Sequence, residues 1–272
     1  MPADLHVHTF FSDGTSSPEE VVKLAAAKNI SALAITDHDT VDGYEPAREA
    51  GSALGVEVIT GIELTAGYEG NEVHILGYLF DPAHRKLLKE LKRSKENRRV
   101  RVLRMVSNLN AIGVDITAEE VFAFSGEGAV GRMHIARALQ KNGAVSSVGE
   151  AFEKYIGDDS QAYVCGFRLS PEEAVKLILG TGGVPVLAHP YSLRAGDSLI
   201  RELAAAGLMG LEVYYPEHTA QMRGKYVSIA KELGLLATGG SDYHGKAKPY
   251  VNLGKSTVPD ELLEALKKAV KK

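Results

Sequence analysis

The chain predicts an α/β fold, a distorted (β/α)7 barrel carrying an inserted helical subdomain. Three observations lead there. Short apolar runs alternate with helical stretches at both ends of the chain, the rhythm of βα units. Histidines and acids close most of those runs, as in a barrel whose site lies at the C-terminal ends of its strands. Between residues 81 and 168 the rhythm stops and helix follows helix. The expected division is therefore 1–80 with 169–272 as the barrel, and 81–168 as a helical cap over its mouth.

Taken in order, ADLHVHT reads as a strand, and Ser17, Pro18 and two glutamates open a helix through VVKLAAAKN. ISALAITDHD is an apolar strand ending in polar residues, and YEPAREAGSALG is a helix stopped by Gly55. VEVITGIEL and EVHILGYLF are further strands. The long stretch from His84 to Gly113 reads as one helix, with Leu87, Leu91, Val102 and Met105 among its apolar positions, and shorter helices follow. The βα order then resumes with SPEEAVKLILG, VPVLAHP, LIRELAAAG, LMGLEVYYP, HTAQMRGKYVSIAKELG, LLATGGSDYHG and a terminal helix from Pro259. About seven strands result, one fewer than the common barrel.

Composition narrows the class. With 31 basic and 35 acidic residues the net charge is −4, which argues against a general affinity for duplex DNA. One cysteine, Cys165, rules out an internal disulfide and a thiolate zinc cage. No run approaches the ~20 apolar residues of a membrane span. The N-terminus lacks a leader-like pattern, so the expectation is a cytoplasmic protein with no membrane contact and no obligate protein partner.

The chemistry lies in nine residues of metal-binding type: His6, His8 and Asp13; His38; Glu63; His74; His189; Asp242 and His244. His6 and His8 are two apart on a strand, so both rings leave one face and can grip one ion. Asp242 and His244 repeat that spacing near the other end. Imidazoles mixed with carboxylates suit zinc, manganese or iron. Adjacent divalent cations can acidify a shared water and neutralise a phosphoryl group in displacement.

The segments DLHVHTFFSDGT, TDHDT, GIELT, HILGY, AHPY and GSDYHG resemble the motifs of the PHP (polymerase and histidinol phosphatase) family, from Asp4 to Gly245. Asp13 stands where some members carry His. The resemblance implies the barrel with up to three manganese, zinc or iron ions around a reactive hydroxide. Carried over, His6, His8, Glu63 and Asp242 would hold the first ion, and Asp13, His38 and His244 the second. Glu63 would bridge to a third with His74 and His189. GRMHIARAL resembles the insertion motif of the branch acting on nucleotide 3′,5′-bisphosphates and on the 5′-ends of short RNA.

The expected activity is thus phosphoester hydrolysis on a small phosphorylated nucleotide or short RNA, with Arg99, Arg132, His134 and His218 as substrate contacts. His218, or else a metal-bound water, would protonate the leaving group. His134 stands between substrate contact and helix packing, and the resemblance favours contact. Asp37 is read as orienting a ligand, Asp39 as capping its turn, and Glu212 either as supporting a ligand or as partnering a buried base. Two alternatives remain at this level: another small ester, such as histidinol phosphate or a cyclic phosphate, and a metal-binding module without catalysis.

Overall fold

Two-residue turns, crossover helices and capped ends decide the topology. The computed structural model describes residues 2–126, 128–166, 169–193 and 196–270. The barrel begins with β1 (Ala3–Val7), α1 (Pro18–Ala27), β2 (Ala32–Ile35), α2 (Tyr44–Leu54), β3 (Glu57–Tyr68) and β4 (Asn71–Tyr78). The inserted segment holds α3 (Arg85–Ala111), α4 (Ala118–Ser125), α5 (Arg132–Lys141) and α6 (Val148–Ala151), the last running into a π-helical turn over Phe152–Ile156. The chain returns through α7 (Pro171–Gly180), β5 (Val184–Leu187), α8 (Asp197–Ala205), β6 (Gly210–Tyr214), α9 (Ala220–Leu233), β7 (Leu236–Gly239) and α10 (Asp260–Ala269).

Local sequence explains the helix ends. Ser17 and Ser170 each cap a helix in reciprocal exchange with Glu20 and Glu173, and Pro18 and Pro171 occupy the first turns. Gly55 and Gly234 close α2 and α9 in the left-handed conformation that glycine adopts without a Cβ penalty.

The seven strands lie in sequential order, and β7 returns beside β1 to nearly close the barrel. One strand departs from the parallel βα units, because β4 runs antiparallel to both β3 and β5. Only Glu69 and Gly70 separate β3 from β4, and both have positive φ, 48° and 82°. Such a two-residue turn makes a hairpin, whereas a parallel crossover needs a dozen residues or more. The reversal puts the start of β4, and with it His74, at the same end of the barrel as the ends of the parallel strands.

Barrel closure depends on close backbone approach. The Asp242 N–H donates to the His6 carbonyl at 2.8 Å, and the His8 N–H to the Tyr243 carbonyl at 2.9 Å. Buried Asp4 accepts from the Ser241 and Gly254 amides, while burial pushes its carboxyl up to about 6. A Cβ on Gly240 would sit 2.3 Å from the His6 nitrogen. We therefore expect Gly240→Ala to cost at least ~1–3 kcal/mol by overpacking and to weaken metal binding through displacement of His6. Thermal melting and metal analysis check this; an unchanged melting temperature would show that the closure tolerates a methyl group.

Two cores lie side by side. Leu5, Leu76, Tyr78 and Val186 pack with Leu263 and Leu266 of α10 in the barrel. Val102, Met105, Leu109, Ile135, Leu139 and Ile156 form a separate cluster within the inserted helices. Helix α3 joins them, because Leu87 and Leu91 near its start pack with Ile178 and the outer barrel layer. The expected boundary at 168 lies outside the described residues.

Candidate metal centre

All nine residues of metal-binding type meet at one end of the barrel. Glu63, 1% exposed, is the hub. Its Oε2 lies 3.1 Å from His8 Nε2 and 3.3 Å from both His6 Nε2 and His38 Nδ1. Its Oε1 lies 3.0 Å from His74 Nδ1 and 3.2 Å from His189 Nε2. Asp242 Oδ1 approaches His8 Nε2 at 3.2 Å and His6 Nε2 at 3.5 Å. Asp13 sits 3.1 Å from His244 and 3.8 Å from His38.

The topology produces this convergence. His6 belongs to β1 and His8 follows its end, His38 follows β2, His189 follows β5, and Asp242 and His244 follow β7. Glu63 lies within β3, which extends past β2 and bridges His38. His189 and Asp242 have positive φ, 26° and 54°, a strained backbone for non-glycine residues. Such strain persists where surrounding structure enforces it, commonly at functional sites.

The donor set fits divalent cations on a direct observation. Nε2 of His6, Nε2 of His8 and Nδ1 of His38 are buried and make no hydrogen bond. Buried ring nitrogens are normally satisfied, so three of them aimed at one carboxylate mark a cation site. Among the described residues, three groups bring their ligand atoms within 4.8 Å of one another: His8, Asp13, His38 and His244; His6, His8 and Glu63; His38, Glu63 and His74.

Electrostatics agree. Burial disfavours the His8 imidazolium, yet Asp242, Glu63 and Asp13 overcome that cost and raise its pKa to about 9. His6 is raised in the same way, against burial, by Glu212, Glu63 and Asp242. Burial also opposes ionisation of Glu63 and Asp242, but the surrounding imidazoles, and Lys248 beside Asp242, hold both carboxyls well below their usual range. The centre is a dense negative site that recruits positive charge.

Around it opens a cleft of about 680 Å³ whose walls include Arg98, Arg101, Arg132, Lys246 and Lys248. Arg132 from α5 pairs with Glu72 at 2.6 Å and Asp158 at 2.5 Å, and Arg101 takes the other oxygen of Glu72 at 2.8 Å. Arg98 holds Asp39 and the Thr65 hydroxyl. The ion pairs of Arg98, Arg101 and Arg132, with the Arg98–Thr65 hydrogen bond, tie the inserted helices to residues one or two positions from His38, Glu63 and His74.

Of the expected substrate contacts, only Arg132 lines this cleft. Arg99 is exposed, its guanidinium 4.4 Å over the Phe122 ring, because one residue along a helix turns a side chain by ~100°. His134 is fully buried and accepts from the Gly131 amide at 2.9 Å, capping its own helix. His218 packs among Tyr191, Tyr215 and Tyr226, with Nδ1 donating to the Val213 carbonyl at 2.8 Å. Tyr215 stands between that ring and His189.

Asp39 does not simply cap its turn, since its Oδ1 accepts from the Thr65 amide while Oδ2 binds Arg98. Asp37 accepts from the Thr9 amide and from the Thr9 and Ser12 hydroxyls at 2.6–2.7 Å, pinning the loop that carries Asp13. Sequence reasoning missed Lys248, whose Nζ lies 2.7 Å from Asp242 Oδ2, where the Tyr215 hydroxyl also donates. Its place six residues after Asp242 was the one available signal.

Comparison with known proteins identifies the family of the chain. The PHP domain model matches residues 4–143. A 5′-3′ exoribonuclease of Haemophilus influenzae is 34% identical over 93% of this chain and 93% of its own length. The chain belongs to the PHP family. A 3′,5′-nucleoside bisphosphate phosphatase of Chromobacterium violaceum is 35% identical to this PHP chain, over 89% of it and 86% of the relative. A Bifidobacterium adolescentis crystal structure, provisionally described as a metal-dependent phosphoesterase, superposes on the PHP chain with a TM-score of 0.91. It covers 97% of this chain and 94% of the other, at 34% identity. The PHP fold is thus matched along nearly the whole length of the chain.

Proposed function

We propose that this PHP protein is a metal-dependent phosphoesterase that hydrolyses nucleotide phosphate esters, either nucleoside 3′,5′-bisphosphates or the 5′-ends of short RNA. One observation carries the reading: the ligand-rich floor and five basic side chains share one cleft of nucleotide size. Relatives named as a bisphosphate phosphatase and an exoribonuclease support it. A cytoplasmic setting fits a nucleotide substrate, and among the described residues no helix is long and apolar enough to cross a membrane.

We assign His6, His8, Glu63 and Asp242 to one cation, Asp13, His38 and His244 to a second, and Glu63, His74 and His189 to a third. Manganese, zinc and iron all suit this set. Bound divalent cations supply an acidified water and charge neutralisation on phosphate oxygens. The chain supplies the rest. Arg132 and Arg101 stand beside His74 to receive a second phosphate, and Lys248 holds Asp242 in place at the edge of the cleft. Residues 81–168 act as the substrate-binding cap, since they provide Arg98, Arg101 and Arg132.

A panel of esters tests the activity: phosphate or mononucleotide release from adenosine 3′,5′-bisphosphate, a 5′-phosphorylated trinucleotide and histidinol phosphate. The expected preference is for the first two by an order of magnitude or more, and equal turnover of histidinol phosphate would count against the reading. Arg132→Ala should raise KM ~10–100-fold, the loss of a charge-assisted contact of ~1.5–3 kcal/mol, with metal content retained. Arg99→Ala, outside the cleft, should stay within about twofold. Reversed effects would move the substrate to the outer face of α3.

A further inference from the structure

Glu212 is a fully buried carboxylate on β6, and its two oxygens serve two different histidines of the metal centre. Oε1 lies 2.9 Å from Nδ1 of His6. Oε2 accepts the backbone N–H of His189 at 2.8 Å. A carboxylate can only accept, so its partner nitrogen on His6 must carry the proton. In the neutral ring that binds a cation, this leaves the lone pair on Nε2, which faces the gap between Glu63 Oε2, 3.3 Å away, and Asp242 Oδ1, 3.5 Å away.

The second bond acts on conformation rather than tautomer. His189 has φ 26°, a strained backbone state that a non-glycine residue keeps only where neighbours enforce it. In that state its Nε2 reaches Glu63 Oε1 at 3.2 Å, beside His74. The N–H held by Glu212 belongs to this strained residue.

We propose that Glu212 is a positioning residue that couples two cation sites: it sets the His6 tautomer for the group His6, His8, Glu63 and Asp242, and it holds His189 for the group Glu63, His74 and His189. The proposal rests on the metal-centre reading and goes beyond it, because Glu212 touches neither cation nor substrate. A buried carboxylate costs several kcal/mol in desolvation, so a purely packing role would be served better by an apolar side chain. Partners of this kind fix ring orientation and strengthen the ligand.

Glu212→Gln keeps the volume, but its single carbonyl can accept from only one of the two donors. Wild type and Glu212→Gln, stripped of metal and checked by circular dichroism, are titrated with zinc by calorimetry, with bound metal counted by mass spectrometry. We expect zinc affinity ~10–100-fold weaker in the variant, with fewer ions retained after dialysis. Zinc binding equal to wild type in number and affinity would overturn the proposal while leaving the metal centre intact. Wild type that takes up no zinc would overturn both. A measurement on zinc-loaded wild type decides the matter should the variant not fold: long-range proton–nitrogen NMR must place the His6 proton on Nδ1. A proton on Nε2 instead would refute the tautomer role.

Discussion

Glu63→Gln is expected to abolish turnover, with kcat down by about 10³-fold or more, equivalent to ~4 kcal/mol of transition-state stabilisation. The size of the effect follows from its place. One carboxylate faces five imidazoles, three through Oε2 and two through Oε1. An amide has one acceptor atom, so at least one of the two ligand groups sharing Glu63 loses its charged donor, and the NH2 end is directed at ring nitrogens that must stay unprotonated to bind metal. Shape and volume are nearly unchanged, so the barrel should fold. Phosphate release and metal content measured on the same sample check this. A variant with full metal content and kcat within tenfold of wild type would show that Glu63 is not the hub.

The second large effect concerns stability. Stripping the protein of metal with a chelator should lower its melting temperature by about 8–16 °C. A ligand present at ~1,000 times its dissociation constant stabilises by ~4.1 kcal/mol, and each kcal/mol shifts a domain of this length by ~2–4 °C. Asp13, Glu63 and Asp242 crowd together at this site, and without cations they depend on protonated imidazoles for compensation. That compensation depends on pH with a definite sign. Burial opposes the charge on His8, but Asp242 and Glu63 raise its folded pKa to about 9, above the unfolded value of 6.5. The stabilisation from its proton is therefore complete below pH 6.5 and lost as pH rises through about 9. Metal-loaded protein holds His8 neutral throughout and has no such loss. The gap in melting temperature between loaded and stripped protein should widen from pH 7 to pH 9. A gap that narrows would contradict the assignment of His8 as a charged partner in the stripped state.

The fold and the centre were readable to different depths. The pairs His6 with His8 and Asp242 with His244 could be found because two-residue spacing on or after a strand keeps two side chains on one side. Ser17, Ser170 and Gly55 marked their helix ends because capping is local chemistry. The direction of β4 was written in Glu69 and Gly70, where the shortness of the turn excluded a crossover, yet the βα rhythm around it suggested parallel strands. Arg98 and Arg99 were indistinguishable by sequence, since basic residues surround α3 on several sides, and only packing against Asp39 and Thr65 set the helix phase. His134 and His218 were read as site residues by type and neighbourhood; the fold gives their Nδ1 atoms to a backbone amide and a backbone carbonyl and leaves both Nε2 atoms buried without a hydrogen bond.

The sequence by itself determined which residues could carry the chemistry and how many strands would deliver them, because ligand type, local spacing and end-capping depend on near neighbours along the chain. Tertiary structure decided which side chains share the cleft, where Lys248 and Glu212 stand, and that Glu63 faces five imidazoles through its two oxygens. Those facts are set by contacts between residues as far apart as His6 and Glu212. Such contacts depend on barrel closure and helix phase, and these follow from packing of the whole molecule rather than from any short stretch of it.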